Sequence, residues 1–280
     1  MKRPVARRDA GVTLVELVVV LTIIGLVVSI GATLVGRVVG GQQDNRGRLV
    51  LAMSADGAVS RLTDELQSAL PNSLRVIASG SETWIEFVPV LDAGRYRAAT
   101  DTLGGTPGDP LDLEDASDGS FDVIGTPIAS APAGSQLVLH NLGTPEADAY
   151  AGNNRRSGMV LSSGGRSVAF TPAGALPPST GTQRFFVTGT PVTLACVASG
   201  SGFELRRYSG YGWLASQPAS AGTLSGATST LLQGGLVSCS AAYSTALANI
   251  GLLNLRLGLA DPNSSARMEF LQQIALDNTP

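Results

Sequence analysis

The sequence predicts an α+β chain in which one long N-terminal helix packs on an antiparallel β-sheet domain. Three observations carry that expectation. Residues 5–70 contain no proline although the chain has 15, and proline is what most often ends a helix. Within that stretch, Leu17 to Gly36 runs for 20 residues without a charge. From Pro71 onward the texture changes to short β-prone runs separated by Gly, Pro, Ser and Asp. At 280 residues, 44% hydrophobic and 15% charged, the chain has the apolar content to bury a sizeable core and is not disordered by composition.

The N-terminal element comes first. As a helix the charge-free run is roughly 30 Å long, the thickness of a bilayer's hydrocarbon core. Lys2, Arg3, Arg7 and Arg8 precede it against Asp9 alone. By the positive-inside rule everything after Val39 is then outside the cytoplasm, which in a Gram-negative cell is the periplasm. At the junction, Gly11-Val12-Thr13-Leu14-Val15-Glu16 puts a small residue at the polar/apolar boundary and a carboxylate five residues past it. A secretory signal peptide has an apolar region of about 7 to 15 residues and is cut after it, so this run is too long. A plain anchor explains the length but not Glu16, since a carboxylate at the bilayer centre costs on the order of 2 to 3 kcal/mol.

Leader, Gly11, Thr-Leu-Val-Glu core and uninterrupted apolar helix together resemble the class III signal of type IV prepilins and type II secretion pseudopilins. Val12 stands where that family usually has Phe. The resemblance implies that a prepilin peptidase cuts between Gly11 and Val12, that Val12 is then N-methylated, and that the subunit joins other pilins or pseudopilins through an inner-membrane assembly platform. Residues 1–11 are then the leader and 12–39 the transmembrane part of the helix. Cleavage would leave 15 basic side chains against 21 acidic, a net charge of −6 without a basic stripe, which speaks against nucleic-acid binding.

Glu16 is the candidate assembly residue. In a bundle of apolar helices a carboxylate must be paired or neutralised. The cut supplies a cation, the new α-amine, and the resemblance implies that Glu16 of one subunit meets the N-terminal amine of its neighbour. The alternative keeps Glu16 at headgroup level, against water or lipid.

Residues 40–70 read as the amphipathic part of the same helix. Leu51, Ala55, Ala58, Val59, Leu62, Leu66, Ala69 and Leu70 recur at three- and four-residue steps as one apolar stripe, and Arg61 with Glu65 is an i,i+4 pair. Gly40-Gly41 is the weak point, either a bend in one helix or a linker between two.

Residues 71–280 form the β-rich domain. Candidate strands are 74–78, 83–90, 135–140, 167–171, 184–188, 193–197, 203–208, 252–259 and 267–276. Several alternate in period two, as Thr83-Trp84-Ile85-Glu86-Phe87 does. Long loops are expected over Asp101 to Gly134 and Gly143 to Gly165. The first contains Asp109, Asp112, Glu114, Asp115, Asp118 and Asp122, whose spacing does not fit an EF-hand loop; a solvated acidic loop is preferred over a calcium site.

The cysteines, Cys196 and Cys239, favour one disulfide in an oxidising compartment, with two buried thiols as the alternative. Neither has Cys-x-x-Cys spacing, so no metal site and no cofactor is expected. His140, the sole histidine, reads as a strand-end residue, and no Gly-x-Ser-x-Gly motif is present; an enzyme is not expected.

Short stretches along the whole chain, Leu70 to Val76, Ala147 to Asn154, Arg184 to Val187 and Gln273 to Pro280 among them, resemble the mannose-sensitive haemagglutinin (MSHA) pilus biogenesis proteins. Those are similar to the J-type minor pseudopilins of type II secretion. The resemblance implies a minor subunit that takes part in filament assembly. A filament-tip adhesin, using the long loops as its contact surface, is the alternative of another class.

Overall fold

The computed structural model describes residues 11–100, 107–179, 181–247, 250–261 and 265–279. The leader ahead of Gly11 and the Asp101–Thr106 part of the expected acidic loop lie outside the described residues.

Helix α1 spans Leu14–Gln67, 54 residues, and passes through Gly40-Gly41 without a break. Its start is set by Thr13, which is extended and accepts the Glu16 amide on its hydroxyl at 3.3 Å. Its end falls at Gln67, ahead of the expected residue 70. There the backbone is taken by a strand-like exchange, with Leu70 N donating to Val88 O at 2.8 Å and Val90 N to Ser68 O at 2.9 Å.

Fourteen strands follow in the described residues, in two antiparallel sheets of seven where one sheet was expected. A hairpin of β1 (Arg75–Ser79) and β2 (Glu82–Phe87) opens the first sheet. The chain then leaves it to build the second sheet from β3 (Val90–Tyr96), β4 (Ser120–Ile124), β5 (Gln136–Leu139), β6 (Arg155–Arg156), β7 (Val160–Ser162), β8 (Ser167–Ala169) and β9 (Arg184–Thr188). It returns as β10 (Val192–Ser199), β11 (Gly202–Ser209), β12 (Thr228–Leu247), β13 (Ile250–Ala260) and β14 (Arg267–Asp277). The first sheet runs β1-β2-β10-β11-β12-β13-β14 and the second β6-β5-β9-β3-β4-β8-β7. Because β2 and β10 are hydrogen-bonded neighbours, with Phe87 opposite Val192, the whole second sheet is an excursion from one point of the first.

Several strand limits differ from expectation for local reasons. The run 83–90 divides at Pro89, which has no amide hydrogen to donate, so β2 stays in one sheet and β3 enters the other. After β5, His140 adopts φ 47°, which ends the strand one residue early. Strands β4, β6 and β7 lie inside the two stretches expected to be long loops. Strand β12 went unanticipated. It pairs with β11 up to Leu236 and with β13 from Leu236 onward, and irregular register around Gly234-Gly235 accompanies the change of partner. Gly235 has φ 67°, a conformation that a side chain at this corner would strain.

Two cores and a seam hold these layers. The apolar stripe of α1, with Ala55, Leu62 and Leu66 each at most 1% exposed, packs with Ile85, Phe87, Leu194 and Leu253 of the first sheet and lies nearest to β14. The second sheet has its own core, in which Phe121 and Phe185 meet edge-to-face at 4.9 Å. Leu70, the last residue of the predicted stripe, instead joins Val88, Val138, Tyr150 and Phe186 in a seam between the sheets.

Candidate assembly site

Among the described residues the N-terminal half of α1 is exposed. Its most apolar 18-residue window is 0% buried, and α1 is the one helix among the described residues long and apolar enough to cross a membrane. Leu17, Ile24, Val28 and Val35 are each more than half exposed. An apolar surface of this size does not stay in water unless lipid or other helices cover it.

At its tip the geometry is open. Gly11, Val12 and Thr13 are non-helical and exposed, and a Cβ added at Gly11 would meet nothing within 4 Å. The Gly11-Val12 peptide therefore lies outside the helix, just ahead of its cap. Thr13 and Glu16 occupy the two positions of a capping box. Only half of that box is formed, because Thr13 takes the Glu16 amide whereas the Glu16 carboxylate has no partner among the described residues. It lies in the first helical turn, where the macrodipole favours an anion.

Residues 6–32 match the prokaryotic N-terminal methylation motif. The match covers Gly11-Val12, the Thr13 cap, Glu16 and most of the charge-free run. It supports a type IV pilin- or pseudopilin-like protein anchored in a membrane by α1, processed by prepilin peptidase and assembled with other pilins. Comparison with curated proteins and with solved structures finds no match.

The remaining residues singled out in the sequence lie far from this tip, in the β-rich region. Cys196 on β10 and Cys239 on β12 are joined by a disulfide with Cα atoms 5.7 Å apart, both buried in the core under α1. Four of the described acids of the expected loop, Asp112, Asp115, Asp118 and Asp122, accept from backbone amides, and Asp109 accepts from the Ser120 hydroxyl. Asp112 accepts from the Glu114 and Asp115 amides, Asp118 from those of Asp112 and Ser120, and Asp122 from that of Asp109. Their role there is to form turns, and no group of three metal-ligating side chains occurs among the described residues. His140 is fully buried, with Nε2 3.0 Å from the Tyr96 hydroxyl and Nδ1 3.2 Å from the Pro177 carbonyl. Burial holds its pKa below the ordinary value, so it is a neutral strut with Nδ1–H donating to the carbonyl.

Sequence reasoning missed a buried polar cluster at the seam. Arg75 on β1 binds the Glu86 carboxylate at 2.6 Å, donates to the Leu214 and Ala215 carbonyls, and stacks on Tyr150 at 3.6 Å. Tyr211 donates to Glu86 at 2.8 Å, and Arg155 of the second sheet stacks on Trp213 at 3.9 Å. The strap 211–217 is thereby fastened to both sheets. Apart from Thr193, 18 residues before Tyr211, its partners lie some 60 to 140 residues away in sequence, so no local pattern marks them.

Proposed function

We propose that this chain is a minor subunit of a type IV pilus-like filament, similar to the MSHA pilus biogenesis protein MshO, and that its role is structural, without catalysis. The observation that carries this reading is the methylation motif placed on a helix whose apolar half is left exposed by the described residues. On this reading prepilin peptidase cuts between Gly11 and Val12, Val12 is methylated, the apolar half of α1 sits in the inner membrane, and the β-rich domain is periplasmic. An assembly platform then draws the helix into a bundle with neighbouring subunits, where Glu16 meets an α-amine. A large domain built on two sheets suits a subunit present in few copies, since every added strand is bulk that a repeating filament must accommodate. The type II secretion J-type pseudopilin is the nearest alternative within the class.

The test is to express the full chain beside its filament system, take the intact mass of the membrane form, and quantify the subunit in sheared filaments. The expected result is a chain starting at methylated Val12, present at a small fraction of the main pilin. A mature N-terminus at another residue, or absence from filaments, overturns the reading.

A further inference from the structure

We propose that Arg95 and Arg184 form a binding site for a carboxylate carried on a compact, ring-sized body of the sugar-acid class. Arg95 on β3 and Arg184 on β9 are directly opposite in the antiparallel ladder, so their side chains leave the same face of the second sheet. Like charges in that relation repel and destabilise the pair unless an anion lies between them. Most arginines of this domain have been given company. Arg75, Arg97, Arg206, Arg207 and Arg256 each have a carboxylate within 4 Å, and Arg156 is wrapped by backbone carbonyls. Among the described residues neither Arg95 nor Arg184 has such a carboxylate. Asp277 feels Arg184 from a distance, but its own oxygen is taken up by the Thr279 amide at 2.9 Å.

The two guanidinium groups border an open groove of about 370 Å³, larger than a lone carboxylate needs and of the size that holds a small ligand. Ala93, Ile124 and Phe186 supply apolar lining, and the exposed Thr126 lines the groove with a hydroxyl that could bond a ring substituent. Planar guanidinium forks match the two oxygens of a carboxylate. The acidic balance of the chain as a whole favours a singly charged anion over a doubly charged phosphate. The site belongs to the β-rich region alone and does not depend on how α1 is assembled.

The test uses full-length protein in detergent at low ionic strength, titrated calorimetrically with galacturonate, with galactose and inorganic phosphate as comparison ligands. Galacturonate is expected to saturate with a dissociation constant on the order of 1 mM, as its size allows, and to bind better than either comparison. Arg95→Gln and Arg184→Gln should each weaken it about tenfold or more, the loss of one charged hydrogen-bond partner, while Arg166→Gln, outside the groove, leaves it unchanged. Thermal unfolding without ligand checks the variants. Removing one of two repelling charges should leave Arg95→Gln at least as stable as the parent, and only in the parent should galacturonate raise the midpoint strongly. Absence of saturable binding, equal binding of galactose, tighter binding of phosphate, or unchanged affinity in both groove variants overturns the site.

Discussion

Arg75 and Glu86 face each other across the β1–β2 ladder, with Nε 2.6 Å from the carboxylate and Glu86 fully shielded from water. Burial pushes the Glu86 carboxyl above its ordinary value of 4.5, opposed by the charge of Arg75 and by the hydrogen bonds from Arg75 and Tyr211. The pair is a fastening for the strap 211–217, and it has a definite pH signature.

Because the native state holds the Glu86 proton more tightly than the unfolded chain, its contribution to stability is complete below pH 4.5 and is lost as pH rises through the folded value. Glu86→Gln should abolish that slope. At pH 7 it should change stability little, since Gln has the shape of the neutral carboxyl that burial favours and the part-exposed Arg75 keeps the Leu214 and Ala215 carbonyls. Thermal unfolding across pH checks both outcomes, and a variant several kcal/mol less stable than the parent at pH 7 would show that Arg75 needs an ionised partner.

The disulfide closes a sequence separation of 43 residues, for which the chain-entropy estimate is about 4 kcal/mol. Cys196→Ala or Cys239→Ala should lower stability by 2 to 4 kcal/mol, roughly, and leave cleavage after Gly11 untouched. Non-reducing peptide mapping of protein from an oxidising compartment should find a single linked pair. Two alkylatable thiols in the folded protein would contradict it.

Glu16→Gln keeps the shape of the first helical turn and removes its charge. Insertion and cleavage should persist, while incorporation into filaments falls. Lys2 is the only lysine and leaves with the leader, so engineered cysteine pairs, not amine reagents, must report the contact. Equal cross-linking by parent and variant would show that charge pairing does not dock the subunit.

Two positions on α1 should behave oppositely. Leu62 is 1% exposed against the first sheet, and Leu62→Ala should cost about 2 to 4 kcal/mol. Met53 is 69% exposed, and Met53→Ala should change the stability of the isolated subunit by less than about 0.5 kcal/mol. Denaturant unfolding of the two variants decides whether the stripe, and not the helix at large, holds the sheet.

The helix, its stripe and the tip were legible because local rules govern them: a charge-free run, a 3.6-residue period and a cap each need only near neighbours. Strand β12 was illegible for a physical reason. Its core-facing residues are Leu232 and Leu236 before the turn of the strand but Cys239, Ala241 and Tyr243 after it, so alternation changes parity midway. Its other face is largely Ser, Thr and Ala, which bear no strand signature of their own. Strand β4 hides similarly, with Phe121 and Val123 the only deeply buried side chains in a run crowded by Asp, Ser and Gly. At the tip, the sequence pointed to Gly11, Val12 and Glu16 but did not disclose that Thr13 leaves the capping box half made.

Phe87 and Val192 are ladder partners, so the chain departs for the second sheet and comes back within about 5.5 Å. Whatever lies between them can lengthen, shorten or be exchanged without moving the strands that grip α1, provided the seam around Tyr150 and Phe186 is kept. Residues 88–191 are thus an interchangeable head on a fixed shaft, so what the surface displays can change while the means of anchorage stays unaltered.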